Sequence, residues 1–163
     1  MSHILVVDNE PADLTLARRA LEKQEHKVLS AGTAKEAIQH LRNSQVDVVV
    51  LDVMLPDGDG LDVLRKTRDF DKHLPVILMT SSSDSSTSIR AMKHGALDYL
   101  FKPIDVAKLR SVVGRALEIR RLTEAPVEIA VDTGNYRHAD DETIYAAKLS
   151  GVLCNGSING ITG

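Results

Sequence analysis

The chain has 163 residues, of which 43% are hydrophobic and 26% charged, enough for one compact domain or one domain with an extension. Aromatic residues make up only 3%, which argues against a protein that stacks single-stranded nucleic acid on aromatic side chains. The formal net charge is −3 and no region has the basic excess of a DNA-binding face, so we expect no direct binding to nucleic acid.

Composition changes near residue 121. Basic and acidic residues balance over residues 1–120, and the whole acidic excess lies in residues 121–163, which also hold half of the ten glycines. This change predicts a domain over residues 1–121. Residues 122–163 are then an acidic, glycine-rich extension or the truncated start of an output domain.

The cellular compartment is predicted from cysteine usage and hydropathy. The single cysteine, Cys154, excludes an internal disulfide framework, and no charged segment followed by a long apolar one opens the chain. The longest apolar runs are far shorter than the roughly 20 residues that cross a bilayer. We therefore predict a cytoplasmic protein that has no contact with a membrane.

Short apolar runs alternate with helical patterns along the first 120 residues. The predicted strands are residues 4–7, 27–31, 46–51, 75–79 and 98–101. The helices that follow are predicted from Pro11 to about Glu25, after a Thr33 cap, around Leu61 and Leu64, from about Ser86 to Lys93 before Gly95, and after an Asp105 cap. Five such units predict an α/β fold, a doubly wound five-stranded parallel sheet of the flavodoxin-like type with helices on both faces and a C-terminal extension.

Beyond residue 121 the pattern is weaker. Residues 127–131 have the composition of a strand and residues 141–153 that of a helix. These residues match no effector family that we recognise, so the output and the regulated process are not predicted.

Four polar side chains stand at the carboxyl ends of predicted strands: Asp8, Asp52, Thr80 and Lys102. Ligands of open parallel sheets bind at that edge, so we expect these residues to converge. Two carboxylates brought together repel unless a cation joins them, and hard oxygen ligands favour Mg²⁺. Lys102 and the Thr80 hydroxyl then suit the oxygens of a phosphoryl group.

Four segments carry a specific resemblance. Residues 5–8 (LVVD), 50–58 (VLDVMLPDG), 79–80 (MT) and 98–103 (DYLFKP) resemble, in this order, the receiver domains of two-component response regulators. The resemblance spans residues 2 to about 121.

The resemblance implies a role for each site residue. Asp52 would accept a phosphoryl group from a phosphohistidine of a sensor histidine kinase or phosphotransfer protein. Asp8, Asn9, Asp52 and the backbone carbonyl of Met54 would hold Mg²⁺, and Lys102 would pair with the phosphoryl group. Thr80 and Tyr99 would then switch the surface of the fourth helix, fifth strand and fifth helix, which controls an output.

Asn9 departs from the pattern of the family. Receiver domains usually carry a second acidic residue here that contacts the metal, whereas Asn9 offers only a neutral carbonyl oxygen. We expect weaker Mg²⁺ binding from that loss of charge. The alternative is a protein-interaction module with the receiver fold that works without phosphorylation.

Other chemistries fit the sequence less well. Asp57 and Asp59 are typical of turns rather than of a second metal site, and no histidine has the spacing of a zinc ligand. No glycine-rich loop follows a strand, which argues against a flavin or dinucleotide site. Met54 stands where an aspartyl-phosphate phosphatase has its second acid, so we predict a signalling protein with at most slow self-dephosphorylation rather than an enzyme.

Two structural expectations come from the family. The Lys102–Pro103 peptide is expected to be cis, although X-Pro bonds are trans by default. The fifth helix resembles the exit helix that joins a receiver domain to its output. Such helices often pair between subunits, so a homodimer is one of the oligomeric states that the sequence allows.

Overall fold

The computed structural model describes residues 1–81 and 85–124. The strands are β1 (His3–Val7), β2 (Lys27–Ala31), β3 (Val48–Asp52), β4 (Met54–Leu55), β5 (Gly58–Asp59), β6 (Val76–Thr80) and β7 (Asp98–Phe101). The helices are α1 (Pro11–Glu22), α2 (Ala34–Asn43), α3 (Gly60–Phe70), α4 (Ser85–Lys93) and α5 (Val106–Glu124). The predicted fourth and fifth strands are β6 and β7.

Five strands form one parallel sheet in the order β2-β1-β3-β6-β7. The chain moves outward from β1 to β2 and then returns to the other side of β1 with β3. The order therefore reverses between β1 and β3, and their carboxyl ends are the place where open sheets bind ligands. The predicted doubly wound flavodoxin-like fold is confirmed.

An apolar layer covers each face of the sheet, as expected for strands buried on both sides. One layer joins β1, β3 and β6 to α1 and α5, and the other joins them to α2, α3 and α4. The fully buried side chains include Ile4, Leu21, Ile77 and Leu109 in the first layer and Leu5, Leu51, Leu64 and Leu78 in the second. The helices thereby fix the strand ends rigidly at the carboxyl edge.

The helix caps, the helix end at Gly95 and the cis peptide bond are found where the sequence predicts them. The Thr33 hydroxyl accepts a hydrogen bond from Glu36 N at 3.1 Å, and the Asp105 carboxylate accepts one from Lys108 N at 3.2 Å. Gly95 has a φ of 90°, which glycine adopts without strain, and the Lys102–Pro103 peptide is cis. These features agree with the sequence predictions.

Some limits differ from the predicted ones. Helix α1 ends at Glu22 rather than near Glu25, because the chain turns there and Glu25 has a left-handed φ of 65°. Strands β3 and β6 pair with each other and each extends one residue beyond its predicted end. Asp52 and Thr80 are therefore the last residues of strands rather than the first residues of loops. The short β4–β5 hairpin was not predicted.

Most of the predicted C-terminal extension lies outside the described residues, and the domain division stays a prediction. Helix α5 runs through residue 121 to Glu124, so the predicted boundary falls within a helix. The strand predicted over residues 127–131 and the helix over 141–153 lie outside the described residues. In the part of the chain that the structure describes, every helix is too short or too polar to cross a lipid bilayer.

Candidate functional site

Three predicted site residues meet at the carboxyl edge of the sheet. Asp8 follows β1, Asp52 ends β3, and Lys102 follows β7 on the outer strand. The Lys102 ammonium Nζ lies 2.8 Å from Asp8 Oδ2 and 2.8 Å from Asp52 Oδ2. Asp8 is fully buried and Asp52 is 5% exposed. The parallel sheet thus brings together residues that are 44 and 50 positions apart.

Asp13 is a fourth member of this cluster that sequence reasoning missed. It lies in the first turn of α1, and its Oδ2 is 3.0 Å from Lys102 Nζ. Lys102 therefore lies within ion-pair distance of three carboxylates, and it donates a hydrogen bond to one of them, Asp52 Oδ2, at 2.8 Å. Acidic residues are common in the first turn of any helix, so nothing in the sequence marked Asp13.

Burial and charge act in opposite directions in this cluster. Burial raises the pKa of Asp8, although the Lys102 ammonium and a hydrogen bond from Glu10 N act to lower it. Burial acts to lower the pKa of Lys102, but its close contacts with the Asp52, Asp8 and Asp13 carboxylates outweigh burial and the pKa is raised. Burial thus opposes the charged form of Asp8, whereas the three carboxylates favour the charged form of Lys102.

Thr80 and Tyr99, the two predicted switch residues, lie on the neighbouring strands β6 and β7. Thr80 is buried, and its carbonyl oxygen accepts a hydrogen bond from Lys102 N at 2.8 Å. Tyr99 is half-buried on β7 and makes an edge-to-face contact with the exposed Phe101, their ring centroids 5.3 Å apart.

An open depression of about 440 Å³ lies over the carboxyl edge. Its lining includes Asn9, Glu10, Asp13, Asp52, Met54 and Lys102. Asn9 and Met54 are both exposed, and Met54 N donates a hydrogen bond to Asp52 Oδ1 at 3.0 Å. Of the predicted site residues, Asn9, Asp52, Met54 and Lys102 therefore share one solvent-accessible space, whereas Asp8 is buried beneath it.

The Asp57 and Asp59 carboxylates both accept backbone hydrogen bonds, but of the two only Asp59 makes the local hydrogen bond that the turn interpretation predicts. Asp59 accepts from Leu61 N at 2.8 Å and caps α3. Asp57 reaches across to α2 and accepts from Ala34 N at 2.7 Å and Lys35 N at 3.1 Å. These hydrogen bonds hold the pKa of the Asp57 carboxyl below its usual range.

Gly60 allows the start of α3 to lie against the backbone of Asp52. A Cβ at this position would overlap the carbonyl oxygen of Asp52, and Gly60 N donates to Val53 O at 2.6 Å. Only glycine permits this close approach of the first residue of α3 to the backbone of Asp52. The requirement for glycine depends on a long-range contact that the local sequence does not reveal.

The donor set fits a hard divalent cation. Asp8 Oδ2 is buried, and within the described part of the chain it has the ion pair with Lys102 but no well-aligned hydrogen bond. Among residues 1–81 and 85–124, no three acidic, histidine or cysteine side chains surround a common cation position. The Lys102 ammonium instead lies between the carboxylates. An oxygen-rich edge with one fixed ammonium can attract both a cation and an anionic group.

Known proteins share both the sequence and the fold of this chain. The family model described as "Response regulator receiver domain" matches residues 4–114. The transcriptional regulatory protein ZraR of Klebsiella oxytoca is 36% identical over 124 residues, which is 76% of this chain and 28% of that protein. The chain therefore spans little more than a quarter of that relative's length.

Solved receiver domains superpose on the described fold. A receiver domain from Clostridium thermocellum matches with a TM-score of 0.71 and 32% identity, over 76% of this chain and 99% of that one. The beryllofluoride-activated receiver domain of DrrB matches with a TM-score of 0.68 and 33% identity, over 72% and 98%. The sheet order, the strand-end residues and these likenesses agree, and the chain belongs to the response regulator receiver domain family of two-component signalling.

Proposed function

We propose that Asp52 accepts a phosphoryl group from a phosphohistidine of a sensor histidine kinase or phosphotransfer protein. The observation that supports this most strongly is the Lys102 ammonium held 2.8 Å from both Asp8 and Asp52 at an open edge. An ammonium so placed can pair with a phosphoryl oxygen once one joins Asp52. The open depression gives a phosphohistidine side chain access to Asp52.

The transfer is a displacement at phosphorus. One Asp52 oxygen forms a bond to phosphorus as the bond from phosphorus to the histidine nitrogen breaks, and that nitrogen keeps the electron pair. Lys102 offsets negative charge on the phosphoryl oxygens, and the Thr80 hydroxyl is the proposed second partner. Asp8, Asp52, Asn9 and the Met54 carbonyl would hold Mg²⁺, which would neutralise the charge that develops on the phosphoryl group.

The signal then passes to the surface of α4, β7 and α5. Phosphorylation replaces one carboxylate with a more highly charged group, and Thr80 and Tyr99 are the proposed residues that respond. Ile89 and Met92 on α4 and Phe101 on β7 are large apolar side chains exposed on these elements. Such side chains suit contact with an output segment or with a second copy of the chain.

Phosphorylation with a small phosphodonor tests this proposal. The full chain incubated with acetyl phosphate and Mg²⁺ should gain the mass of one phosphoryl group in intact mass spectrometry. Asp52→Asn should gain none, because the amide is not a competent nucleophile. Asp57→Asn is the matched control and should be phosphorylated like the wild type, since Asp57 is exposed and tied to α2.

Beryllofluoride provides a second readout without covalent chemistry. With Mg²⁺ and beryllofluoride, amide resonances of Thr80, Tyr99 and α4 should shift in the wild type and stay unchanged in Asp52→Asn. No phosphoryl adduct and no beryllofluoride response over a wide range of Mg²⁺ concentrations would contradict the proposal. That result would favour an interaction module that works without phosphorylation.

A further inference from the structure

The Lys102 ammonium competes with any divalent cation for the same two carboxylates. It lies 2.8 Å from Asp8 Oδ2 and 2.8 Å from Asp52 Oδ2, so each oxygen it holds is one less for a metal ion. Among the described residues, Asp8 Oδ2 has no cationic partner other than Lys102, and Asp8 is fully buried. The Oδ1 atoms of Asp8 and Asp52 already accept hydrogen bonds from Glu10 N and Met54 N, so a cation that takes the two Oδ2 atoms must draw them away from the ammonium.

Asn9 makes this competition more severe. A neutral side chain at position 9 leaves Asp8 and Asp52 as the only carboxylates of the proposed ligand set. The Asp8 and Asp52 carboxylates would then have to coordinate a divalent cation and also form ion pairs with the Lys102 ammonium. Separating the ammonium from both of them would leave a partly buried charge without a partner, which is costly.

Asp13 offers the ammonium a carboxylate outside that ligand set. Its Oδ2 lies 3.0 Å from Lys102 Nζ, and its side chain is only about a quarter exposed. It belongs to α1, which packs against the sheet through the buried Ala17 and Leu21. The helix therefore holds this third carboxylate beside the ammonium independently of the loops that carry the proposed metal ligands.

We propose that Asp13 is a positioning residue that retains the Lys102 ammonium when Asp8 and Asp52 turn to a divalent cation. It thereby compensates for the carboxylate that Asn9 lacks. The inference rests on the proposed function, because it assumes that the carboxyl edge binds Mg²⁺ or a similar cation. It adds a residue of α1 to a site otherwise built from the loops after β1, β3 and β7.

Cation affinity measured in two backgrounds tests the inference. Mn²⁺ binding to the full chain is followed by electron paramagnetic resonance, with Mg²⁺ as competitor. Asp13→Asn should raise the Mn²⁺ Kd about tenfold, because the ammonium then pairs only with Asp8 and Asp52. Lys102→Gln should lower the Kd, and adding Asp13→Asn to it should change the Kd by no more than about twofold.

The control is Glu22→Gln, which removes the same charge from the other end of α1. Its Kd should equal that of the wild type, and circular dichroism should show that every variant keeps the fold. An Asp13→Asn Kd equal to that of the wild type would overturn the inference. An equal effect of Asp13→Asn in both backgrounds would also overturn it, because Asp13 would then act without Lys102.

The outcome for the wild type separates the two proposals. A wild-type chain that binds no Mn²⁺ and forms no phosphoryl adduct contradicts the proposed function. A wild-type chain that binds Mn²⁺ with Asp13 contributing nothing leaves the proposed function intact and removes only the role of Asp13.

Discussion

The carboxyl edge of the sheet and its two apolar faces are built on opposite principles. On the faces, side chains such as Leu64 and Leu78 are buried among other apolar groups, and their burial stabilises the fold. At the edge, three carboxylates share one ammonium, and two of them are almost completely removed from water. Burying charge in this way costs free energy that the ion pairs recover only in part.

This difference indicates which part of the molecule serves stability and which serves chemistry. The apolar layers hold the strand ends in place whatever the side chains at those ends are. The edge keeps an excess of negative charge that a cation or a phosphoryl group can rearrange. Substitutions in the two regions should therefore separate loss of stability from loss of function.

The largest change in stability is expected from a substitution in an apolar layer. Leu78→Ala should lower the free energy of unfolding by about 3 kcal/mol, because it removes buried methyl groups and leaves a cavity. Leu78 is 1% exposed on β6, whereas Leu16 on α1 is 39% exposed and provides the control. Urea denaturation followed by circular dichroism measures both, and an equal loss for Leu16→Ala would contradict the comparison.

A substitution at the charged edge should have a smaller effect on stability. Asp52→Asn removes one of three carboxylates while Lys102 keeps Asp8 and Asp13. We expect the free energy of unfolding at neutral pH to rise or to change by less than about 1 kcal/mol. The same denaturation experiment measures it. A loss as large as that of Leu78→Ala would mean that the Asp52 ion pair is a main support of the fold.

The smallest effect is expected at Asp57, and it should depend on pH. Two backbone hydrogen bonds lower the pKa of the Asp57 carboxyl in the folded state, so its contribution to stability is present above the unfolded pKa. It is lost as the pH falls through the lower folded-state value. Asp57→Asn should therefore be less stable than the wild type near neutral pH and equal to it near pH 2.

The control for this prediction is Asp8, a carboxyl group whose pKa is shifted in the opposite direction. Burial raises the pKa of Asp8, so its contribution to stability is complete below the unfolded pKa and falls as the pH rises through the folded-state value. Asp8→Asn should remove that fall. Thermal unfolding of both variants between pH 2 and about 7 measures the two trends. Parallel trends in the two variants would contradict the assigned environments.

Much of the fold was predictable because its signals are local. Pro11, Thr33 and Asp105 mark helix starts through backbone chemistry that needs no distant partner. Runs such as residues 48–51 are apolar throughout, which indicates strands buried on both faces. The end of α1 at Glu22 was not predicted, because residues 23–25 carry no glycine or proline to stop the helix.

The site was predictable wherever strand ends define it. Asp8, Asp52 and Lys102 were identified because parallel strands must bring their carboxyl ends to one edge, whatever the details of packing. Asp13 could not be identified in this way. Whether a first-turn side chain of α1 reaches the site depends on how that helix is rotated against the sheet, and distant residues of the apolar layer set that rotation.

The sequence by itself determined the order of the five sheet strands and five helices, the polar residues at the strand ends and the family. Each of these follows from spacing and residue type within short segments. The tertiary structure alone decided that Asp13 shares the Lys102 ammonium, that Asp57 caps α2 and that Gly60 lies against Asp52. These contacts join elements whose relative placement arises from the packing of the whole core, and no local pattern records it.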